Sequence, residues 1–345
     1  MVRAAHIHRV LAALALAGAA SMSLAQAVSS PTSRASINDR ITGDITPVHD
    51  PAIIKQGDTY YLFTTSQENE KKGLIHIRSS KDLVTWKREP SAFTEIPAWA
   101  KKAIKGTVGI WAPDVSYSNG RYRVYYSVST FGSNRSAIGL ATTASLDPSD
   151  PNYGWRDEGE VFSSNKSDPY NAIDANIVVD REGGHWMSFG SFWTGLKMFR
   201  IDPATGKRLP GDKKLHSIAQ RRTPGAVEAP FIVERNGYYY LFASYDFCCR
   251  GEKSTYYTIV GRSRDVTGPY VDAEGKSLMQ GYGQVVLHAD LDKTKRWRGP
   301  GHVSILRDGP KDYIVYHAYD ARNKGVPTLR IAPLGWTADG WPVAL

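Results

Sequence analysis

The stretch that decides the fold is WAPDVSYSNGRYRVYYSV, residues 111–128. Its centre is Asn119-Gly120, and this pair accepts the positive φ angles that a two-residue β-hairpin turn requires. The residues on either side are rich in Val and Tyr, which fit the pleated surface of a sheet. The stretch therefore predicts a β-hairpin with a polar residue, Asp114, near its start.

The same pattern recurs four more times, each time as an apolar strand, a turn and an aromatic-rich strand. The other copies are HDPAIIKQGDTYYLFTT from His49, AIDANIVVDREGGHWMSFGS from Ala172, VEAPFIVERNGYYYLFAS from Val227 and GHVSILRDGPKDYIVYHAY from Gly301. The spacing of the copies leaves room for four strands each, and frequent Pro and Gly argue against amphipathic helices. The repeats predict an all-β fold, a five-bladed β-propeller with blades of four antiparallel strands.

Each copy has one polar residue near its start: Asp50, Asp114, Asp174, Glu228 and His302. Since the first strand of each blade lines the axis, we expect these five side chains to occupy equivalent positions and to converge there. Clustered carboxylates must be held by a cation, by hydrogen bonds or by shared protons. The cluster therefore predicts a metal site or an acid–base pair, and the second is the machinery of glycoside hydrolysis. An isolated acid would more often be a solvated surface residue.

Composition narrows the class of protein further. The 345 residues include 43 Lys and Arg against 34 Asp and Glu, but the basic residues form only short, scattered runs, which argues against nucleic-acid binding. Aromatic residues make up 11% of the chain. We expect most of these rings to pack between blades, whereas a few Tyr and Trp residues suit a sugar-binding cleft.

The N-terminal residues 1–27 have the pattern of a secretory signal peptide, with Arg3 and Arg9, an apolar stretch and then Ala25-Gln26-Ala27. The apolar stretch is shorter than the roughly 20 residues that span a bilayer, so no membrane span is expected. Residues 28–45 are rich in Ser, Thr and Pro and predict a flexible lead-in. Residues 46–345 are then a single propeller domain, which we expect to be monomeric and secreted or periplasmic.

Seven short segments add a specific resemblance: VHDPAII, WAPDVSY, NAIDANIV, GSFWTGL, VEAPFI, DFCCRG and GPGHVSIL. Together, and in this order, they resemble glycoside hydrolase family 43, and within it most closely the arabinan endo-1,5-α-L-arabinanases. The resemblance covers the chain from about Thr46 to its C-terminus. It implies a five-bladed β-propeller, and it implies a secreted enzyme that cleaves internal α-1,5-L-arabinofuranosidic bonds of arabinan, a pectin side chain, with inversion of configuration.

The resemblance implies a role for each of three acids. Asp50 would be the general base that takes a proton from water, and Glu228 the general acid that protonates the departing sugar oxygen. Asp174 would hold the substrate and raise the pKa of the acid. Inversion implies a distance of about 6.5–9.5 Å between the base and acid carboxyl groups, which leaves space for the water. Asp114 is expected to give structural support.

The resemblance also implies a set of sugar contacts: Trp111, Phe131, Gly132, Asn171, Ser191, Phe192 and Trp193. Trp111 or Trp193 would stack on an arabinose face, and Asn171 and Ser191 would donate hydrogen bonds. Packing between blades is the alternative for each aromatic residue. A groove open at both ends would allow internal cleavage, whereas a loop that blocks one end would give exo action.

His302 resembles the histidine that members of the family point at a central ion, and the resemblance implies that this ion is Ca²⁺. Calcium prefers oxygen ligands, so a shell of one imidazole and several waters would be unusual. A lone histidine on a strand is also often a core residue. His302 is therefore the expected metal ligand, with water as the other ligand.

Cys248 and Cys249 are adjacent and are the two cysteines of the chain. A vicinal disulfide, two free thiols and an intermolecular bond are all open at this point. A catalytic thiol would need exposure and a nearby activating base. Because DFCCRG belongs to the resemblance, we expect a structural role near the blade that carries Glu228.

Two other functions are alternatives. Exo-acting arabinanases, arabinofuranosidases and β-xylosidases of the same family often carry an additional β-sandwich domain, whereas this chain ends soon after the fifth copy. A non-catalytic carbohydrate-binding propeller would not need a base, a modulator and an acid together. The endo-acting hydrolase is therefore the leading prediction, with arabinan as its partner and no nucleic acid.

Overall fold

The computed structural model of the chain describes residues 36–67 and 71–345. The predicted signal peptide lies outside these residues, as does the first part of the predicted lead-in. The described residues contain two short helices, α1 (Ile37–Arg40) and α2 (Ala98–Ala103), and 3₁₀ helices at Gly251–Lys253, Leu278–Gln280 and Ala289–Leu291. None of the described helices has the length and apolar character needed to cross a membrane.

Five sheets follow one another along the chain, one for each copy of the sequence pattern. Sheet 1 contains β2 (Ala52–Gln56), β3 (Thr59–Thr64), β5 (His76–Ser80) and β6 (Thr85–Glu89), with β1 (Thr42–Gly43) parallel to β6. Sheet 2 contains β7 (Gly109–Ser118), β8 (Arg121–Val128), β9 (Ser136–Thr143) and β10 (Arg156–Ser164), with β4 (Ser66–Gln67) beside β7.

The last three sheets have four antiparallel strands each. Sheet 3 contains β11 (Asn176–Val179), β12 (His185–Phe189), β13 (Leu196–Ile201) and β14 (His216–Ala219). Sheet 4 contains β15 (Val227–Arg235), β16 (Tyr238–Tyr245), β17 (Tyr257–Ser263) and β18 (Gln284–Leu287). Sheet 5 contains β19 (Trp297–Asp308), β20 (Lys311–Asp320), β21 (Val326–Trp336) and β22 (Pro342–Ala344).

The first strands of the five sheets form a closed ring. Strand β2 contacts β7, β7 contacts β11, β11 contacts β15, β15 contacts β19, and β19 contacts β2 again. Apolar clusters fill the spaces between neighbouring sheets, with pairs such as Phe63 and Val124, Leu140 and Phe199, Met198 and Leu241, Phe242 and Ile314, and Leu62 and Leu329. The predicted five-bladed β-propeller is therefore confirmed, with β1 and β4 added to the first two blades.

The backbone shows which residues are equivalent from blade to blade. One residue before or within each first strand has a positive φ: Asp50 at 52°, Ala112 at 43°, Asp174 at 59°, Ala229 at 56° and His302 at 49°. In all five blades the N–H of this residue donates to a side chain of the preceding blade, in the pairs Asp50–His317, Ala112–Thr65, Asp174–Ser127, Ala229–Asp174 and His302–Ser244. A positive φ is uncommon outside glycine, so we call these five residues the left-handed ring.

The left-handed ring corrects one expectation from the sequence. Asp50, Asp174 and His302 are equivalent, but Ala112 and Ala229 occupy the other two positions. Asp114 therefore lies two residues after its ring position, and Glu228 lies one residue before it. The sequence comparison matched the five copies by their acidic residues. Equivalent positions in the blades are defined by the positive φ angle, and residue type does not report this angle.

The described part of the predicted lead-in, residues 36–45, packs on the propeller. Strand β1 pairs with β6 of blade 1, and the N–H of Ile331 in blade 5 donates to Asn38 Oδ1 at 2.6 Å. Ile41 is buried in the cluster between these two blades. This segment thus joins the last blade to the first. The Ser, Thr and Pro content of residues 28–45 thus does not report the burial of Ile41.

Candidate active site

The carboxyl group of Asp50 is surrounded by hydrogen-bond donors. Its Oδ1 lies 2.8 Å from Nδ1 of His49 and 3.0 Å from Nδ1 of His302. Its Oδ2 accepts a hydrogen bond from Thr65 Oγ1 at 2.5 Å. Burial acts to raise the pKa of Asp50, but the two imidazoles hold this pKa well below its ordinary value. Asp50 is therefore ionised across the neutral range.

His302 carries the complementary charge. Burial acts to lower the pKa of its imidazole, but the charge of Asp50 and the hydrogen bond to it raise this pKa to about 9. Asp174 and Glu228 act in the same direction. At neutral pH His302 is thus an imidazolium within a cluster of three buried acids.

Glu228 and Asp174 have the opposite tendency to Asp50. Burial raises the pKa of Glu228, while the hydrogen bond from the Ser191 hydroxyl, 2.7 Å from Oε2, acts to lower it. Burial also raises the pKa of Asp174, well above its ordinary value, and the charges of Glu228 and Asp50 add to this effect. The two carboxyl groups interact, so their protons belong to the pair. The cluster therefore combines an acid whose pKa is lowered with a pair of acids whose pKa values are raised.

Asp114 is a buried acid with a different surrounding. Its Oδ1 accepts from Asn176 Nδ2 at 3.1 Å and its Oδ2 from the N–H of Ile177 at 3.0 Å, both in the next blade. Burial raises the pKa of Asp114 to about 7. Asn176 in turn accepts from the N–H of Ile232 in blade 4 at 2.9 Å. Asp114 thus makes the interblade contacts of a structural residue.

The aromatic residues expected to contact sugar differ in exposure. Phe131 is 87% exposed and Trp193 is 41% exposed, whereas Trp111 is half-buried. The Phe192 ring lies 6.0 Å from that of Phe247. Gly132, Phe192 and Trp193 all have positive φ angles, so both loops turn sharply at these residues. Among the four aromatic residues expected to contact sugar, Phe131 and Trp193 have the most surface free for a ligand.

The polar residues expected to contact sugar have partners within the protein. Asn171 is buried, and its Oδ1 accepts from Ser136 Oγ at 2.6 Å. The Ser191 hydroxyl donates to Glu228, and the backbones of these two residues also form a β-bridge. Ser191 thus orients an acid of the cluster, and its single hydrogen is already engaged there.

Four residues at the site were not singled out from the sequence: His49, Thr65, His317 and Tyr319. His49 directly precedes Asp50 in the HDP segment, and this position was the one feature of the sequence that could have indicated its contact with Asp50. Thr65 follows the end of β3 and also accepts from the N–H of Ala112 in blade 2 at 2.8 Å, which fixes the direction in which its hydrogen points. Tyr319 belongs to blade 5, and no local pattern connects it with Asp50.

Two groups of three metal-ligand atoms lie within 4.8 Å of one another among the described residues: His49, Asp50 and His317, and His49, Cys248 and Cys249. The two cysteines form a disulfide bond, and His317 Nδ1 already accepts from the N–H of Asp50 at 3.1 Å. His302 belongs to neither group. A calcium ion at His302 would therefore take most of its oxygen ligands from water, as the sequence implied, and the calcium site stays a prediction.

Comparison with known proteins gives a consistent family. A family model described as glycosyl hydrolases family 43 matches residues 45–342. The chain is 43% identical over 297 residues to the extracellular endo-α-(1→5)-L-arabinanase 1 of Bacillus subtilis, covering 86% of this chain and 87% of the relative. It is also 43% identical over 308 residues to an extracellular exo-α-(1→5)-L-arabinofuranosidase of Cellvibrio japonicus, covering 86% of this chain and 85% of the relative.

Solved structures agree with the family comparison. An endo-arabinanase of Bacillus licheniformis has 44% identity and a TM-score of 0.79, covering 88% of this chain and 99% of that one. An exo-1,5-α-L-arabinanase from a bovine ruminal metagenomic library has 38% identity and a TM-score of 0.81, covering 89% of this chain and 100% of that one. The similar proteins thus include both endo-acting and exo-acting enzymes.

Proposed function

The chain belongs to glycosyl hydrolases family 43, and from this membership we propose that it hydrolyses internal α-1,5-arabinofuranosyl bonds of arabinan with inversion of configuration. The observation that carries the proposal is the pairing of an ionised Asp50 with the protonation-prone acids Glu228 and Asp174 in one buried cluster. Hydrolysis by inversion requires one carboxylate and one carboxylic acid at the same time. The names of the similar proteins support arabinan as the substrate.

In the proposed mechanism Asp50 is the general base. Its Oδ1 is occupied by the imidazoles of His49 and His302, and Oδ2 has one lone pair left after the hydrogen bond from Thr65. Oδ2 therefore takes a proton from the water that attacks the anomeric carbon. The water arrives on the face opposite to the leaving oxygen, so the anomeric configuration inverts.

Glu228 is the general acid of the proposed mechanism. It gives its proton to the glycosidic oxygen as the bond to the anomeric carbon breaks, and solvent later returns the proton. Burial raises the pKa of Glu228 and so favours its protonated form, and the Ser191 hydroxyl holds the carboxyl group in one orientation. Once Glu228 has released its proton, the resulting carboxylate is stabilised by the positive charge of His302.

Asp174 modulates the acid in this proposal. Its Oδ2 accepts from the N–H of Ala229 at 3.3 Å, directly beside Glu228 in the chain, and its own N–H is held by Ser127. The pKa values of the two acids are coupled, so a negative charge on one favours a proton on the other. Asp174 thus helps to retain the proton that Glu228 donates, and it lies where it can also bind a sugar hydroxyl group.

Further contacts to arabinan come from exposed rings. We assign stacking to Trp193 and Phe131, which have the most free surface of the expected contacts, and a smaller contact to the half-buried Trp111 at the start of blade 2. Gly132, Asn171 and Phe192 shape the loops around these rings. Ser191 acts through Glu228 in this proposal, because its hydrogen is donated to that carboxyl group.

Two further parts of the proposal concern the ion and the destination of the protein. Calcium held by water and by a nitrogen of His302 that has released its proton would take the place of that proton's positive charge beside the acids, and no step of the mechanism requires it. Secretion is supported by the signal-peptide pattern of residues 1–27 and by two similar proteins that are named extracellular. The chain would then meet arabinan outside the cytoplasm.

Exo action is a second candidate, favoured by the 43% identity to the exo-acting enzyme of Cellvibrio japonicus. Incubation with linear α-1,5-arabinan and with arabino-oligosaccharides of defined length separates the two. A mixture of oligosaccharide lengths at early times supports endo action, whereas a single short product from the start supports exo action. Absence of any product from both substrates would overturn the proposed function. Proton NMR of the first product reports the anomer and tests inversion.

A further inference from the structure

We infer that His49 is a positioning residue for the base, and that Tyr319 and the Cys248–Cys249 turn hold its ring in the tautomer that this task requires. The inference rests on the proposed role of Asp50 as the general base. The residues come from three blades. His49 and Asp50 belong to blade 1, Tyr319 to blade 5, and the cysteine turn to blade 4.

The contacts form a continuous chain of hydrogen bonds. The N–H of Cys249 donates to Tyr319 Oη at 2.8 Å. Tyr319 Oη lies 2.7 Å from Nε2 of His49, and Nδ1 of the same ring lies 2.8 Å from Oδ1 of Asp50. The backbone of blade 4 is thus connected to the carboxylate of blade 1 through a phenol and an imidazole.

The hydrogen atoms of this chain can be assigned by donor counting. Tyr319 has one hydroxyl hydrogen, and burial raises the pKa of this phenol, so the hydrogen stays in place. The carboxylate of Asp50 can only accept, so Nδ1 of His49 carries a hydrogen and donates to Oδ1. In a neutral ring Nε2 then has a lone pair and accepts the hydrogen of Tyr319, whose Oη accepts from Cys249. The other tautomer would direct a lone pair at the carboxylate.

The ring of His49 is also fixed from its face. It stacks on His317 with a centroid distance of 3.9 Å and an interplanar angle of 25°. Nδ1 of His317 accepts from the N–H of Asp50 at 3.1 Å, so the same pair of rings holds both the backbone and the side chain of the base. With Oδ1 fixed by His49, Oδ2 points in one direction. A change of about 1 Å in the position of a reacting group costs roughly a hundredfold in rate.

The disulfide fixes the position of the Cys249 N–H, which is the first donor in this series of hydrogen bonds. Cys249 has a φ of 68°, and its Sγ lies 3.9 Å from Nε2 of His49. A bond between adjacent cysteines closes a small ring that restricts the peptide between them. Reduction by a dithiol breaks the S–S bond and leaves two thiols, while the dithiol becomes a disulfide. The peptide is then free to rotate, and the donor to Tyr319 is no longer fixed.

The test is a double-mutant cycle on kcat and KM with a defined arabino-oligosaccharide. His49→Ala is expected to lower kcat about a hundredfold with KM nearly unchanged, and Tyr319→Phe about tenfold. The double variant is expected to equal His49→Ala alone, because Tyr319 acts through His49. His49→Asn, whose side-chain N–H can replace Nδ1–H, should recover most of the lost kcat. Tyr117→Phe, at an exposed tyrosine of blade 2, is the matched control and should be unchanged.

Three outcomes would overturn the inference: multiplied effects in the double variant, no recovery in His49→Asn, or unchanged kcat in His49→Ala. Full activity of Asp50→Ala would instead overturn the proposed function, so the two failures are distinguishable. If His49→Ala does not fold, His49→Asn and Tyr319→Phe still decide the result. Cys248→Ser combined with Cys249→Ser should lower kcat, but by no more than Tyr319→Phe does. A larger loss would contradict the proposed order of the hydrogen bonds, in which the cysteine turn acts on His49 through Tyr319.

Discussion

The base side and the acid side of the candidate site are equally buried and have opposite proton preferences. Asp50, Asp174 and Glu228 are 8%, 6% and 9% exposed. Two imidazoles contact the carboxyl group of Asp50 and lower its pKa, whereas Glu228 receives the neutral hydroxyl of Ser191 and its pKa is raised. The partner of each carboxyl group, rather than its burial, thus decides which acid is ionised.

Asp114 extends this comparison to a third region. It is as buried as the catalytic candidates, and its pKa rises to about 7, yet its partners are an amide and a backbone N–H of the next blade. A raised pKa therefore does not by itself identify an acid of the site. The neighbouring charge of Asp50 acts on Glu228 and Asp174 and not on Asp114, and this distinguishes the two acids of the site from Asp114.

The largest expected effect is the loss of activity when the base or the acid is removed, and substrates with different leaving groups distinguish the two roles. Glu228→Ala and Asp50→Ala should each lower kcat/KM on arabino-oligosaccharides by about 10³–10⁴, because each removes a proton transfer. On an aryl arabinoside with an acidic phenol as leaving group, Glu228→Ala should recover much of this loss, since the phenol needs no proton. Asp50→Ala should not recover. An equal response of both variants in steady-state assays would contradict the assigned roles.

The next effect concerns stability. Asp114→Ala leaves the donors of Asn176 and Ile177 without a partner, and we expect a loss of roughly 3 kcal/mol in the free energy of unfolding, with kcat little changed. Urea unfolding measures the loss, and Asp58→Ala at an exposed turn is the control. A loss within about 0.5 kcal/mol, the range of ordinary surface changes, would contradict the structural role.

The same variant has a pH dependence of defined sign. The folded pKa of Asp114, about 7, is above its ordinary value of 3.8, so the folded state retains a proton that the unfolded state releases. The stability from this group is full below the unfolded pKa and is lost as pH rises through about 7. The difference in stability between the wild type and Asp114→Ala should therefore narrow from about pH 4 to pH 7.

A smaller effect is expected in the pH dependence of kcat/KM, on the limb that reports the ionisation of Glu228. Activity should fall at low pH through the lowered pKa of Asp50, and at high pH through the raised pKa of Glu228. Ser191→Ala removes a hydrogen bond that lowers the pKa of Glu228, so the alkaline limb of kcat/KM should move up by about one pH unit. The acidic limb should stay in place.

The matched control for this variant is Ser163→Ala. Ser163 donates to Glu160 at 2.7 Å on the surface, so it removes the same type of hydrogen bond away from the site. An alkaline limb that stays fixed or moves down in Ser191→Ala would show that the hydroxyl of Ser191 does not set the pKa of Glu228.

The smallest expected effect is that of metal removal. An ion that binds only the folded chain stabilises it by about 1.4 kcal/mol at a concentration ten times its Kd. Chelation should therefore lower Tm by a few degrees, and calcium, but not magnesium, should restore it. If the purified protein contains no calcium and chelation leaves Tm unchanged, His302 is not a calcium ligand.

Much of the fold could be predicted from local patterns. Asn119-Gly120 and Asn236-Gly237 mark hairpins through the turn itself, so the five copies gave the number of blades. The equivalence of Asp50, Asp174 and His302 followed from the same alignment. The positions of Asp114 and Glu228 did not, because the positive φ of Ala112 and Ala229 has no signal in residue type.

The sequence by itself determined the hairpins, the five-fold repeat and the presence of the acids, because turns and strands depend on residues close together in the chain. Only the tertiary structure decided which acid is ionised and which groups His49 contacts. These properties depend on His302 and Tyr319, and Tyr319 is 270 residues from His49 in sequence. The ring of blades must close before such partners meet, and a pKa is set by the charges and donors that closure brings within hydrogen-bond distance.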